Sequence, residues 1–297
     1  MTSISRYGDK NGRSSDYDSG GVRQARYARI YSTLHDRDAI HIFRSYLEQV
    51  CLGKRVLHVD AGAGLLAIIA AQAGAATVYG AEDDEDLLEI AAQNVDHCGF
   101  YNIHLFNEHI RDITLRELDD QPVDVVVTDN HATWQVSGPQ IKRLNYVNHK
   151  LAAHDVVHVP ECISNYVELV ESQYVFENVV EYRSHYYELD ERSRPRSLST
   201  PFLVHTLDLS QINLQRFKRT FRIKVTEKGT LNSLRLTSPL LFDETTTHSP
   251  HNRLMAPVIV PLEDDLPVYP EDIIEVSVNY KLNSRWQDFD CEAAIVG

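Results

Sequence analysis

Cysteine is scarce in this chain of 297 residues, and its four copies lie far apart in the sequence. Cys51, Cys98, Cys162 and Cys291 form no CxxC pair and no cysteine–histidine spacing of the kind that holds zinc. We therefore expect reduced thiols, no metal site and a cytoplasmic location, because secreted disulfide frameworks use paired, regularly spaced cysteines.

Long hydrophobic runs are also missing. No stretch of about 18 consecutive apolar residues is present, which predicts that the chain does not span a membrane. The start of the chain, MTSISRYGDKNGRSSDYDSGG, lacks the apolar core of a secretion signal. Residues 1–22 are instead rich in serine, glycine and aspartate, and we expect them to form a flexible tail.

Basic residues are outnumbered, with 29 lysines and arginines against 43 aspartates and glutamates, and the net charge is −14. This balance disfavours direct nucleic-acid binding, which needs a basic surface. It favours basic partners such as Arg-rich proteins. An acidic surface that merely keeps the protein soluble explains the charge equally well.

The apolar residues that are present, 43% of the chain, are enough for a substantial core. Their spacing predicts two helices within residues 23–52. Further on, the strands RVLHVD, ATVYGAE, NIHLFN and VDVVVTD are interleaved with the helices LLAIIAAQAG and EDLLEIAAQNVDHCG. Strands this apolar are typical of a buried parallel sheet, so residues 23–159 are predicted to form a doubly wound, Rossmann-like α/β domain.

The pattern changes near the junction at residue 160. Runs such as ISNYVELVES, FLVHTLDLS and DIIEVSVNYKL contain period-two stretches and are separated by turn signals. They predict an all-β, barrel-like domain over residues 160–297. Within it, the polar and aromatic segment YRSHYYELDERSRPRSL at 182–198 is interrupted by proline and predicts an arm that leaves the domain.

The loop in VLHVDAGAGLL, after the first buried strand, is typical of a nucleotide-binding site. Gly62 and Gly64 would let a ligand approach the backbone, and the helix that follows offers free N–H groups. The next strand ends at Glu82, where a carboxylate can accept both hydroxyls of a ribose. Gly62, Gly64 and Glu82 are therefore the candidate cofactor-binding residues.

Three features weaken this site. Asp60 adds a side chain and a negative charge beside the loop, which would repel a ligand carboxylate and prevent close approach. His58 stands inside the strand, where such sites often carry an acidic residue. The loop after the fourth strand, at 128–140, offers one carboxylate, Asp129, whereas binding a guanidinium needs two acceptors in its plane.

The histidines carry little chemical signal. His131 is a candidate base, but no partner for it is visible, and an ordinary surface position is the better interpretation. His248 and His251 are three residues apart in a proline-containing turn, which is a weak pattern for a metal site.

In these motifs the chain resembles the protein arginine methyltransferase family. The resemblance rests on YDSG at 17–20, VLHVDAGAGLL against the family's VLDVGxGTGxL, VYGAE, VDVVVTD, HVPECI with Pro160 at the junction, and SPHNRLMAPVIVPLEDDLPV. It implies a Rossmann-like half, a β-barrel half and an inserted dimerisation arm. It also implies chemistry in which S-adenosylmethionine donates a methyl group to a substrate arginine.

The same resemblance implies that the catalytic set is depleted. The family's two guanidinium-binding glutamates fall on Asp129 and Gly138, and the second of these has no side chain. The Thr-His-Trp motif of the barrel falls on Arg253-Leu254-Met255, and only a slip of register would bring His251 close. The arginine that grips the cofactor carboxylate falls on Ala39, if the helix is aligned without gaps.

Site loss with scaffold retention implies a catalytically inactive regulatory subunit, or prozyme. It would pair as a hetero-oligomer with an active arginine methyltransferase paralogue and activate or stabilise it. The partner, not this chain, would bind S-adenosylmethionine, and Gly62, Gly64 and Glu82 would be vestigial. Two alternatives remain: an active S-adenosylmethionine-dependent methyltransferase with an altered substrate, using Asp129 and His131, and a non-catalytic binding module for basic or Arg/Gly-rich proteins.

Overall fold

Five α-helices lie in the part of the chain that the computed structural model describes, which is residues 4–5, 19–250 and 254–296. They are α1 (Ser19–His35), α2 (Arg37–Val50), α3 (Leu65–Gln72), α4 (Glu85–Cys98) and α5 (Gln140–Lys150). Within these described residues, no helix is both long and apolar enough to cross a membrane.

A six-stranded sheet with all strands parallel forms the first half. Its strands are β1 (Ile4–Ser5), β2 (Arg55–Val59), β3 (Thr77–Ala81), β4 (Ile103–Phe106), β5 (Val123–Val127) and β6 (Ala152–Val159), in the order β1-β4-β3-β2-β5-β6. The predicted Rossmann-like parallel sheet is therefore confirmed. Its strands are buried along most of their length, as their continuous apolar runs indicated.

The strand order reverses between β2 and β5. From β2 the chain moves through β3 to β4 at one side of the sheet, and it then crosses to β5 and β6 on the other side. Because parallel crossovers are right-handed, this reversal opens a crevice at the carboxyl ends of β2 and β5. The loops beginning at Asp60 and at Thr128 meet at this switch point, so the fold places the candidate site there.

The helix ends follow from local sequence. The Asp36 carboxylate accepts a hydrogen bond from the Ala39 amide and starts α2, and Asp84 caps α4 in the same way. Gly99 ends α4 with a left-handed φ of +72°. The two helices predicted within 23–52 are confirmed, but α1 begins at Ser19, so the predicted tail boundary at residue 22 lies inside a helix. Apart from 4–5 and 19–22, that tail lies outside the described residues.

The second half is antiparallel. Its strands are β7 (Cys162–Glu171), β8 (Val175–Phe176), β9 (Val180–Glu181), β10 (Tyr186–Tyr187), β11 (Arg196–Ser197), β12 (Phe202–Asp208), β13 (Arg216–Lys224), β14 (Gly229–Thr237), β15 (Leu240–Leu241), β16 (Thr247–His248), β17 (Val258–Val268), β18 (Ile273–Lys281) and β19 (Asp290–Ile295). Eight of these form a curled half-barrel sheet around β7, and β13, β18 and β19 form a second sheet. The all-β half was therefore predicted correctly.

An exposed element precedes the predicted arm at 182–198. The projecting element is the hairpin of β8 and β9, whose turn holds Glu177 and Asn178 at left-handed φ values of +50° and +56°. Residues Tyr186–Tyr187 and Arg196–Ser197 instead pair with β17 and β7 of the main sheet.

Several regular elements lacked a sequence prediction, among them α5, β6 and β19. The polar helix α5 follows directly after the loop at 128–140, and β6 carries exposed polar residues in its first half. Helix α5 contributes Arg143 to the switch point, and β6 extends the sheet beside β5. The predicted boundary at residues 159 and 160 lies between β6 and β7.

Candidate functional site

The glycine loop keeps the backbone shape of a cofactor loop, but its outer side is covered. Gly62 has a φ of +54° and Gly64 one of +85°, and Gly64 starts helix α3. A Cβ atom on Gly62 would lie 3.2 Å from the Ile30 Cδ1 atom of α1. The space that the missing side chain leaves open for a ligand is therefore taken by Ile30.

Glu82 is present at the ribose position but is turned inward. Its carboxylate accepts hydrogen bonds from the backbone amides of Gly62 at 2.8 Å and of Asp84 at 2.9 Å. The residue is almost fully buried. Glu82 thus ties the glycine loop to the end of β3 instead of presenting free oxygens to ribose hydroxyls.

A cavity remains between α1 and the glycine loop, and its volume is about 20 Å³. That is room for roughly one water molecule and far too little for a nucleoside. Arg29, Ile30, Thr33 and Leu34 line it from α1, opposite Asp60 to Ala63. Their spacing places all four on one helix face, which faces the glycine loop. Because this face leaves so little space, the residues present in this conformation do not fit S-adenosylmethionine.

Asp60 is neutralised, which corrects the expected role of its charge. Its carboxylate forms an ion pair with Arg143 of α5 and accepts a hydrogen bond from Asn130 at 3.0 Å. Arg143 also reaches Asp83, at 3.4 Å. Asp60 has a left-handed φ of +58°, a backbone conformation that favours glycine, and these contacts offset the strain. Asp60 is therefore a paired charge beside a closed cleft.

Asp129 lies just after β5, the fourth of the predicted strands, and faces an arginine of its own chain. The Arg29 Nη1 atom is 3.5 Å from the Asp129 Oδ1 atom. The Arg29 side chain is 5% exposed and that of Asp129 is 15% exposed. The switch point therefore contains two aspartate–arginine pairs, Asp60 with Arg143 and Asp129 with Arg29.

The two histidines of the site are buried and neutral. Burial lowers the pKa of His58, and it lowers the pKa of His131 to about 4. The interpretation of His131 as a surface histidine is therefore wrong, because the loop folds beneath α1. Among the residues that the structure describes, no side chain forms a hydrogen bond of standard geometry with either imidazole, and the backbone of Thr128 is the polar group beside His131.

The loop from Asp129 to Gly138 is anchored in the barrel half. Trp134 is fully buried at a left-handed φ of +54°, and its indole N–H donates to the Tyr166 carbonyl at 3.0 Å. The Thr133 hydroxyl donates to the Ala256 carbonyl at 2.8 Å. Gly138, at the second glutamate position, has a φ of +83° and open space around it. The loop is a rigid joint between the halves and presents one carboxylate.

The barrel segment that corresponds to the family's Thr-His-Trp motif supports this loop through its backbone. The Leu254 carbonyl accepts a hydrogen bond from the Thr133 amide at 2.8 Å, and Met255 is buried. Arg253 and His251 lie outside the described residues. His248 contacts the Asp36 carboxylate at 3.3 Å. No group of side chains that could hold a metal ion occurs within the described ranges.

Ala39 does not line the cavity; it is buried in the first turn of α2. Arg29 and Arg143, the two arginines that the fold brings to the site, were not among the predicted site residues. Arg29 could have been noticed, because it shares a helix face with Ile30, Thr33 and Leu34. Arg143 gave no signal, since α5 itself was not predicted.

Comparison with known proteins supports the resemblance. Residues 41–133 match the family model of ribosomal protein L11 methyltransferase (PrmA). The probable protein arginine N-methyltransferase 1.2 of Arabidopsis thaliana is 26% identical over 197 residues, which are 66% of this chain and 52% of that protein. Protein arginine N-methyltransferase 1 of Oryza sativa subsp. indica is 28% identical over 54% of this chain and 40% of that protein. The chain thus spans about half the length of these relatives.

Solved structures show the same fold. A chain of the Trypanosoma brucei PRMT1 enzyme–prozyme heterotetrameric complex with AdoHcy superposes with a TM-score of 0.77 at 16% identity, over 91% of this chain and 94% of that one. Arabidopsis thaliana protein arginine methyltransferase 10 superposes with a TM-score of 0.72 at 14% identity, over 91% and 99% of the two chains. The chain therefore has the fold of the protein arginine methyltransferases and is similar in sequence to members of that family.

Proposed function

We propose that this chain is a catalytically inactive regulatory subunit that pairs with an active protein arginine methyltransferase and activates or stabilises it. The observation that carries the proposal is the closed cleft at the switch point. Ile30 covers Gly62, Glu82 is bonded to the backbone, and the remaining cavity measures about 20 Å³. S-adenosylmethionine would be bound by the partner, and the complex would act in the cytoplasm.

The substrate side of the site supports the same proposal. A guanidinium is bound best by two acceptors in its plane, and this loop offers Asp129 and then Gly138. Losing one acceptor of a buried charge pair costs about 3–5 kcal/mol. Together with the neutral His131, this leaves the cleft without the groups that would position and deprotonate a substrate arginine.

A surface for a partner is present on the arm hairpin, β8 and β9 with their flanks. Val179 is 81% exposed, and Val175, Phe176, Val180 and Tyr182 are also exposed. Apolar side chains grouped in this way are costly in water unless another protein covers them. A structural neighbour of this fold is an enzyme–prozyme heterotetramer, which supports assigning the hairpin to a methyltransferase partner.

The direct test is affinity purification of the tagged full-length chain from its own cells, followed by native mass measurement. We expect a complex with an arginine methyltransferase, and a higher methylation rate of an Arg/Gly-rich peptide when the chain is added to that enzyme. A chain that purifies alone and leaves the rate unchanged would overturn the proposal. Calorimetry with S-adenosylmethionine adds a second arm, because tight binding by the isolated chain would favour an active methyltransferase with an altered substrate.

A second candidate function is the binding of basic proteins, and two neighbouring grooves between β17 and β19 favour it. They measure about 340 and 310 Å³. The carboxylates that line them are Glu263, Asp264, Glu275, Asp290 and Glu292. A groove with this charge attracts Arg-rich segments, and a regulatory subunit that recruits substrates would combine both functions.

Fluorescence anisotropy with labelled peptides tests this second function. We expect an Arg/Gly-rich peptide to bind the isolated chain, with an affinity that falls as salt rises, and a Glu-rich peptide to show no binding. The variant Glu263→Gln/Glu292→Gln should weaken binding, whereas the matched variant Glu89→Gln/Glu85→Gln on helix α4 should not. Equal affinities for both peptides would exclude recognition by charge.

A further inference from the structure

Arg29 occupies an unusual position for an arginine, on the inward face of α1 beside Ile30, Thr33 and Leu34. Its guanidinium points from α1 into the switch point and lies 3.5 Å from the Asp129 carboxylate, and both side chains are largely buried. Arginines are rarely buried unless they are paired. The position therefore serves the contact with Asp129, because an exposed position on the outer face of α1 would avoid the cost of burial.

Other cations around Asp129 are already committed or neutral. Arg143 pairs with Asp60 and Asp83. Burial lowers the pKa values of His58 and His131, so both imidazoles are uncharged at neutral pH. Within the part of the chain that the structure describes, Arg29 is thus the one cation paired with Asp129. The charge balance of the cleft depends on it.

The contact between Arg29 and Asp129 leaves the terminal hydrogen-bond donors of the guanidinium unused by the described residues. Neither terminal nitrogen of Arg29 has a hydrogen bond that meets the usual geometry with any described residue. A guanidinium carries five donors and is best satisfied by two planar acceptors. Here one carboxylate faces it, and the second position of the loop is Gly138. The arrangement is that of a guanidinium site in which half of the acceptors have been lost.

We infer that Asp129 is a guanidinium-binding site that the chain fills with its own Arg29, so that α1 takes the place of a substrate arginine. This inference rests on the proposed function, because it assigns Asp129 to the former substrate position. It goes further in naming the ligand class, a guanidinium, and the residue that excludes it. A substrate arginine is shut out in cis, by a side chain of similar chemistry.

The same helix closes both halves of the cleft. Arg29 and Ile30 are adjacent on α1, and they contact Asp129 on the substrate side and Gly62 on the cofactor side. Moving α1 away would withdraw both side chains together. The ion pair therefore holds the apolar lid in place, and its loss should loosen the cofactor side as well as the substrate side.

Chemical rescue tests the inference. The variant Arg29→Ala leaves Asp129 buried and unpaired, and it leaves a gap the size of a guanidinium. We expect guanidinium or methylguanidinium chloride, well below denaturing concentrations, to raise the midpoint temperature of this variant by about 2–4 °C. Sodium and ammonium chloride at equal ionic strength should raise it less. The wild-type chain, whose site is filled, should not gain.

The double variant Arg29→Ala/Asp129→Asn removes the acceptor and should lose the rescue. If Arg29→Ala does not fold, Arg29→Met keeps the apolar stem and the helix propensity while removing the charge, and it is tested in the same way. A folded variant that guanidinium stabilises no more than ammonium would overturn the inference, as would equal rescue of the double variant.

The outcome is distinguishable from that of the proposed function. Rescue is measured on the isolated chain, whereas the regulatory role is measured by complex formation and methylation rate. Failed rescue with an intact complex would remove only the internal-arginine site. Successful rescue in a chain that binds no methyltransferase would remove only the regulatory role.

Discussion

The cleft at the switch point and the arm hairpin both differ from the corresponding regions of a typical enzyme, the cleft in being filled and the hairpin in being apolar and exposed. The cleft, where a ligand would need space, is filled from within by Ile30, Arg29 and the Asp60–Arg143 pair. The hairpin, where a solitary protein would show polar side chains, presents valine, phenylalanine and tyrosine to water. The cleft lacks the open space that a ligand would need, and the hairpin lacks the polar surface that a solitary protein would show.

This contrast fits the proposed regulatory subunit. Side chains that fill the cleft pack it closely, and pairing its buried charges avoids the cost of leaving them uncompensated. Apolar side chains exposed on the hairpin are the kind of surface that a protein partner covers. A subunit that acts through its surface, as proposed, would need the hairpin and not the cleft.

The largest expected effect comes from breaking the closed cleft. Arg143→Ala removes a buried cationic partner of Asp60 beside the glycine loop, and it should lower the free energy of unfolding by about 3–5 kcal/mol. Urea denaturation measures the change. The control is Arg222→Ala, which removes the exposed pair with Glu275 and should cost at most about 1 kcal/mol. Equal costs for the two variants would show that the cleft pair is not specially buried.

Charging the hairpin tests the other side of the comparison. Val179→Asp/Val180→Asp should weaken the complex with a methyltransferase at least tenfold, about 1.4 kcal/mol, because both side chains would be buried against the partner. The stability of the isolated chain should change by less than about 0.5 kcal/mol. Leu214→Asp is the matched control, since Leu214 is 84% exposed but lies outside the arm. If Leu214→Asp weakens the complex equally, the arm is not the specific interface.

Lowering the pH should destabilise the folded chain through the histidines that are buried in its interior. Burial lowers the pKa values of His131, His158 and His205 to about 4, below the usual value near 6.5. The unfolded chain therefore binds more protons than the folded chain between these pH values, so stability falls as the pH drops from about 6.5 towards 4. At pH 5.5 each histidine should cost about 1 kcal/mol.

Urea midpoints measured between pH 7 and pH 5 report this loss. His131→Gln should flatten the pH dependence relative to the wild-type chain. A slope in this variant identical to that of the wild-type chain would show that His131 titrates normally in the folded chain.

The smallest expected effect is the one that restores the glycine loop. In Asp60→Gly/Arg143→Met the loop regains its glycine and both charges of the pair disappear together. We still expect no gain in S-adenosylmethionine binding by calorimetry, because Ile30 continues to cover Gly62 and Glu82 remains bonded to the backbone. Adding Ile30→Ala should be required before any binding is seen. Binding by the first variant alone would mean that Asp60 was the main obstacle.

Much of the fold could be predicted from residue spacing. The apolar runs at 55–59, 77–81 and 123–127 are strands, and Gly64 and Gly99 mark the start and the end of helices. Helix α5 was missed because polar residues, Gln140 and Arg143, share its buried face with Ile141, Leu144 and Val147. Whether a short apolar strand is buried or projects into solvent depends on what packs against it, and local sequence does not contain that information.

The candidate site shows the same difference between what local sequence predicts and what depends on packing. Residue identity alone shows that Gly138 has no side chain to hold a guanidinium, that Asp60 stands beside the glycine loop, and that a loop with one carboxylate follows β5. The pairing of Asp60 with Arg143 and of Asp129 with Arg29 depends on the fold, since these pairs join residues 83 and 100 positions apart. A missing side chain is a local fact, but the side chain that fills the vacated space depends on which elements the sheet topology brings together.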